Sequence, residues 1–197
     1  MKTLYFFGDS NTYGFDPSNP WNARYPENDI WTFRVKEAVK QDWTLVADGV
    51  NGREIPTGEY EYQALLGRMK QSAQVDLFAV MLGTNDYLNR MEPDADEVAE
   101  KMRAFVRRLS EDAGRTDILI VAPPAILIPA LFHDPGIDTS GGELSEAYRR
   151  VAKEEGCRFL DALLWNCDLA YDGVHLSVKG HHTFAEKFTE YMDCYEP

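Results

Sequence analysis

Five short apolar runs punctuate the chain, and each is followed by a longer stretch whose apolar residues recur at helical spacing. The runs are Thr3–Phe7, Trp43–Ala47, Leu77–Leu82, Ile118–Ala122 and Arg158–Leu160. The first, third and fourth are almost unbroken, as strands buried on both faces of a parallel sheet must be. The clearest helix carries Val98, Met102, Phe105, Val106 and Leu109 on one face, behind Pro93 and the capping-type acids Asp94 and Asp96. A second aligns Leu144, Ala147, Tyr148, Val151 and Ala152, and a last one, with Ser177 as its cap, aligns Phe184, Phe188 and Met192. Strands alternating with helices need right-handed crossovers. The pattern therefore predicts an α/β fold: a three-layer α/β/α sandwich around a five-stranded parallel sheet in the flavodoxin-like order. No internal repeat or Gly/Ser linker divides the 197 residues, so one domain spanning 1–197 is expected.

Charge narrows the partners. Asp and Glu number 33 against 20 Lys and Arg, a formal charge of −13, which repels phosphate backbones and anionic lipid alike. Nucleic acid and membrane are thus not expected as partners. No segment approaches the ~18 uninterrupted apolar residues of a membrane span, and the stretch between Lys2 and Gly8 is too short for a signal-peptide core. The cysteines, Cys157, Cys167 and Cys194, are odd in number and lack a CxxC spacing, which fits reduced thiols in a cytoplasmic protein.

In sheets of this kind ligands bind beyond the carboxyl ends of the strands, so the residues there carry the chemistry. After the first strand comes Gly8-Asp9-Ser10-Asn11-Thr12-Tyr13-Gly14. A serine in a tight turn between a buried strand and a helical turn holds its hydroxyl at the sheet edge and keeps its own N–H for an oxyanion. Asp9 is read as a brace accepting backbone hydrogen bonds. The second strand leads into Asp48-Gly49-Val50-Asn51-Gly52-Arg53 and the third into Gly83-Thr84-Asn85-Asp86, where the Gly52 N–H and the Asn85 amide are candidates to join the Ser10 N–H in an oxyanion hole. Late in the chain, Asp172-Gly173-Val174-His175 places a carboxylate three residues before an imidazole, a spacing that fixes one ring nitrogen and frees the other as a base. His181 and His182, at the start of the last helix, and His133 read as bystanders.

Taken in order, these blocks resemble the SGNH (GDSL-type) hydrolases, in finer detail their arylesterase and acyltransferase branch. The four marker residues of that family correspond here to Ser10, Gly52, Asn85 and His175, with Asp172 completing a triad. The resemblance implies serine hydrolysis of acyl esters without metal or organic cofactor; at Asn11 the chain departs from the leucine usual in the family. Asn11, Tyr13, Trp21, Ile126 and Val174 are candidate substrate contacts. The aromatic loop 15–26 and the apolar insertion 125–132 are candidate pocket walls, and the insertion serves equally as core or as the interface of a homo-oligomer. Two rival readings use the same fold: an FMN-binding electron carrier, with Asn11 and Thr12 cradling the phosphate, and an inactive binder of acylated carbohydrate. The first leaves the Asp172–His175 pair without a task.

Overall fold

The computed structural model describes residues 1–19, 21, 24–72, 74–90, 94–127 and 141–196. Five parallel strands, β1 (Lys2–Gly8), β2 (Trp43–Gly49), β3 (Leu77–Met81), β4 (Asp117–Ala122) and β5 (Arg158–Asp161), form one sheet in the order β2-β1-β3-β4-β5. The flavodoxin-like order expected from the sequence is the one found. β1, β3 and β4 are the inner strands and are almost wholly buried, whereas the edge strand β5 is half-buried along its length.

Because strand side chains alternate between faces, β1 feeds two cores at once. Tyr5 and Phe7 join Phe78, Val80 and Ile120 beneath α3 (Glu59–Met69), α5 (Ala95–Asp112) and α6 (Gly142–Glu155). Leu4 and Phe6 join Leu45, Met81 and Val121 beneath α2 (Trp31–Val39) and α7 (Val178–Asp193). The helix faces read from periodicity are those buried in α5, α6 and α7. Their caps follow as well. Asp94 accepts from the N–H groups of Asp96 and Glu97, and Ser177 accepts from Gly180, each worth about 1 kcal/mol. Pro93 lies outside the described residues.

Two four- to five-residue helices, α1 (Ser10–Tyr13) and α4 (Thr84–Leu88), start immediately after β1 and β3. They carry Ser10 and Asn85 to the same end of the sheet as the loop after β2. No helix among the described residues is long and apolar enough to cross a membrane.

Candidate active site

The chain passes from β1 into α1 with one intervening residue, Asp9, which caps the helix. Its carboxylate accepts the Asn11 N–H at 2.9 Å and its carbonyl accepts those of Thr12 and Tyr13, the bracing role expected for it. The Ser10 N–H, first in the helix, has no acceptor among the described residues, as the leading donors of a helix characteristically do not. Gly8 is required by close packing and not by a left-handed turn: a Cβ there would lie 2.0 Å from Thr12 Oγ1. The turn is anchored from behind by Trp31, fully buried, whose indole N–H donates to the Asn11 carbonyl at 2.8 Å. Burial pushes the Asp9 carboxyl up to about 6, against the opposing pull of the Asn11 N–H and of positive charge on His175 and Arg53.

Asp172 and His175 lie in the loop before α7. One carboxylate oxygen of Asp172 accepts the backbone N–H groups of Val174 and His175 at 3.1 and 3.0 Å; the other lies 2.6 Å from His175 Nδ1. His175 Nε2 is in turn 3.0 Å from Ser10 Oγ. Partial burial works to raise the Asp172 carboxyl, but the hydrogen bonds from the His175 ring and from the two backbone donors prevail and hold it below the usual carboxylate range. One face of the imidazole is covered by Phe15, with ring centroids 4.6 Å apart.

The loop after β2 is held by ions. Gly52 takes φ +73° at the third position of a tight turn closed by the Arg53 N–H donating to the Val50 carbonyl, a type II geometry that favours glycine. The Gly52 N–H has no acceptor among the described residues. Arg53 donates to the Gly8 carbonyl at 2.8 Å, to the Asp48 carbonyl, and to the Asp48 carboxylate at 2.7 Å, with its guanidinium 4.1 Å from the Phe7 ring centroid. Asp48 also accepts from Tyr5 Oη and Arg68 Nε. Its burial opposes ionisation, yet the three donors and the Arg53 charge keep its carboxyl low. Asn85 Nδ2 donates to the Arg53 carbonyl at 3.0 Å, so one amide hydrogen ties Asn85 to the Gly52 turn and the second is left over. Behind it, Asp86 accepts the Ile55 N–H at 3.0 Å and pairs with Lys101 at 2.7 Å.

The five candidate substrate contacts divide. Asn11 is buried, and its amide is engaged with backbone on either side of His175: Oδ1 accepts the Leu176 N–H at 2.8 Å and Nδ2 donates to the Val174 carbonyl at 3.3 Å. Both ends of the amide thus bind backbone of the loop that carries His175, and the second Nδ2 hydrogen is left over. Val174 meets the site through those backbone groups. Tyr13 is half-buried under the Arg24 guanidinium, Trp21 is 96% exposed, and Ile126 is buried beside Thr84, Tyr87, Pro123 and Leu144. Of the two loops, Pro20, Asn22, Ala23 and residues 128–132 lie outside the described residues, as does His133.

Sequence reasoning missed Arg53 and Asp48 as a clamp; opposite charges at the two ends of a tight turn were the available signal. It also passed over His181, fully buried, whose Nδ1 accepts the first N–H of α2, from Trp31, at 3.4 Å. Burial pushes that imidazole down to about 3. Among the described residues, no group of three or more His, Cys, Asp or Glu is placed to hold a metal ion.

The chain is similar along its length to proteins of known family. The chain is 25% identical over 201 residues to the GDSL lipase Rv0518 of Mycobacterium tuberculosis, covering 95% of this chain and 80% of that protein. It superposes on a carbohydrate acetylesterase family member from Sinorhizobium meliloti with a TM-score of 0.83 at 24% identity, covering 98% of both chains. It also superposes on the M. smegmatis aryl esterase with a TM-score of 0.81 at 22% identity, covering 98% of this chain and 99% of that one. The model of the GDSL-like lipase/acylhydrolase family matches residues 6–183, the span that runs from the end of β1 past His175, and on that match the chain belongs to this family of carboxylic ester hydrolases.

Proposed function

We propose that the chain hydrolyses short-chain acyl esters of small alcohols or carbohydrates through an acyl-enzyme on Ser10, with acyl transfer to alcohols as a side activity. The observation that carries this reading is the unbroken contact from Asp172 Oδ2 to His175 Nδ1 (2.6 Å) and from His175 Nε2 to Ser10 Oγ (3.0 Å). The ionised Asp172 holds the proton on Nδ1, leaving Nε2 as acceptor. His175 takes the Ser10 hydroxyl proton while Oγ attacks the ester carbonyl. The tetrahedral oxyanion is met by the N–H groups of Ser10 and Gly52 and the second Asn85 amide hydrogen. Collapse breaks the bond to the alcohol, which leaves with the proton held by His175. Water, activated by the same nitrogen, then frees the acyl group and regenerates the serine. An alcohol in place of water gives a new ester.

The names of the structural relatives, one a carbohydrate acetylesterase family member and one an aryl esterase, support small acyl groups with sugar or aryl leaving groups. Phe15 against the imidazole supplies an apolar surface beside the proposed base. Burial of Asn11 and Thr12, with both ends of the Asn11 amide bound to backbone, weighs against the FMN alternative. The three free cysteines support a reducing, cytoplasmic setting.

The test is a panel of nitrophenyl and sugar esters of increasing acyl length, with Ser10→Ala as blank, together with labelling by a fluorophosphonate. Ser10 labelling and turnover that falls with chain length are expected. A folded protein that is neither labelled nor active would favour the binder of acylated carbohydrate. Absence of ester product in an alcohol–water mixture would remove the transfer activity alone.

A further inference from the structure

The residue after the nucleophile has an arrangement that ester hydrolysis does not by itself require. Asn11 presents one planar amide to the two residues that flank His175, accepting from the Leu176 N–H at 2.8 Å and donating to the Val174 carbonyl at 3.3 Å. A parallel β-bridge has this pattern: one residue offers its N–H to the carbonyl before its partner and its carbonyl to the N–H after it. The side-chain amide of Asn11 thus stands in for a strand peptide, and His175 is paired as if it lay in a sheet while its ring projects to Ser10. Asn11 is itself fixed twice, by Asp9 at its N–H and by Trp31 at its carbonyl. Among the described residues, and apart from the contact of His175 Nε2 with Ser10 Oγ, the other hydrogen bonds of residues 170–176 are internal to that segment or run to Leu127 and Pro17, neither of which is on α1.

We propose that Asn11 is a positioning residue for the base: its amide sets the reach of His175 Nε2 toward Ser10 Oγ, coupling two segments that lie 165 residues apart in the chain. The inference rests on the esterase reading. A base displaced by about 1 Å loses on the order of a hundredfold in rate, and a residue that acts through His175 and not on the ester leaves KM little changed.

The experiment compares wild type with Asn11→Leu, which keeps the branching and removes both hydrogen bonds, and with the smaller Asn11→Ala. For a short nitrophenyl ester, kcat is expected to fall about 10–100-fold with KM little changed. Fluorophosphonate labelling of Ser10 should slow in parallel, and the downfield proton NMR signal of His175 Nδ1–H should shift or broaden. Full kcat in a folded Asn11→Leu would overturn the inference even if its melting temperature dropped. If neither variant folds, hydrogen exchange in the wild type decides: a protected Leu176 amide supports the bridge, and one exchanging like an exposed loop overturns it. A wild type that is neither active nor labelled removes the esterase reading and this inference together.

Discussion

The base loop, Asp172 to Leu176, and the donor turn, Asp48 to Arg53, reach the same edge of the sheet but are held there by different physics. The base loop is docked by a neutral amide, that of Asn11, and is shaped internally by backbone donors to Asp172. The donor turn is docked by a half-enclosed ionic cluster in which Arg53 binds two strand ends at once, through Gly8 and Asp48, while Asp48 also collects Tyr5 and Arg68. In the proposed mechanism His175 changes charge during turnover, and a neutral mount leaves its surroundings unchanged as it does so. The proposed oxyanion donors would have to stay in place as charge forms, and a multiply bonded guanidinium restrains them in several directions.

Substitutions separate the two mounts. The largest effect belongs to the base loop: Asp172→Asn should lower kcat by about 10⁴ with the fold retained, since Asn can still accept the two backbone N–H groups but favours the wrong imidazole tautomer. Steady-state kinetics beside a melting curve measures both halves of that statement. Next comes the ionic cluster. Asp48→Asn should destabilise the protein by about 3–5 kcal/mol at neutral pH, because it leaves Arg53 without its carboxylate. The Asp48 carboxyl is held low in the folded state, so its contribution is present above the usual carboxylate range and is lost as pH falls through the folded value. Denaturant titrations of wild type and variant should therefore converge in acid.

Asn85→Ala removes one donor of the proposed oxyanion hole and should cost about 10²–10³ in kcat with KM little altered. A raised KM with kcat unchanged would mean that Asn85 binds the ester and its transition state equally. The smallest effect lies at the junction of the two regions. Asp9 is raised to about 6, so between about pH 4 and about pH 6 the folded chain holds a proton the unfolded chain has lost, and stability falls as pH rises through that window. Asp9→Asn should gain at most about 3 kcal/mol over wild type above pH 6, and nothing near pH 4. A constant difference across that range would show that Asp9 titrates normally.

Much of this geometry was legible in the order of residues. The near-unbroken apolar runs of β1, β3 and β4 identified the inner strands, and once their order followed, Ser10, Gly52, Asn85 and His175 had to share one edge. What was not legible depends on contacts between segments far apart in the chain. Asn11 next to a reactive serine reads as a group facing substrate; only the return of the chain at Val174 and Leu176 turns it inward. His181 reads as a bystander at a helix start until α2 packs against it and offers an N–H. Arg53 lies beside a marker glycine, but its role rests on the carbonyl of Gly8, 45 residues earlier. Polar residues whose partners are local, such as Asp94 and Ser177, were predictable; those whose partners are distant backbone groups were not.

Trp31 gives the molecule a built-in optical reporter. Its indole is sealed between Phe6 and Phe184 and hydrogen-bonded to the carbonyl of the residue following Ser10. With only four tryptophans in the chain, a version retaining this one alone would emit at a wavelength set by that cage. Loosening of the nucleophile turn, by acylation, denaturant or a distant substitution, would then be visible as a red shift in fluorescence, without a substrate that changes colour.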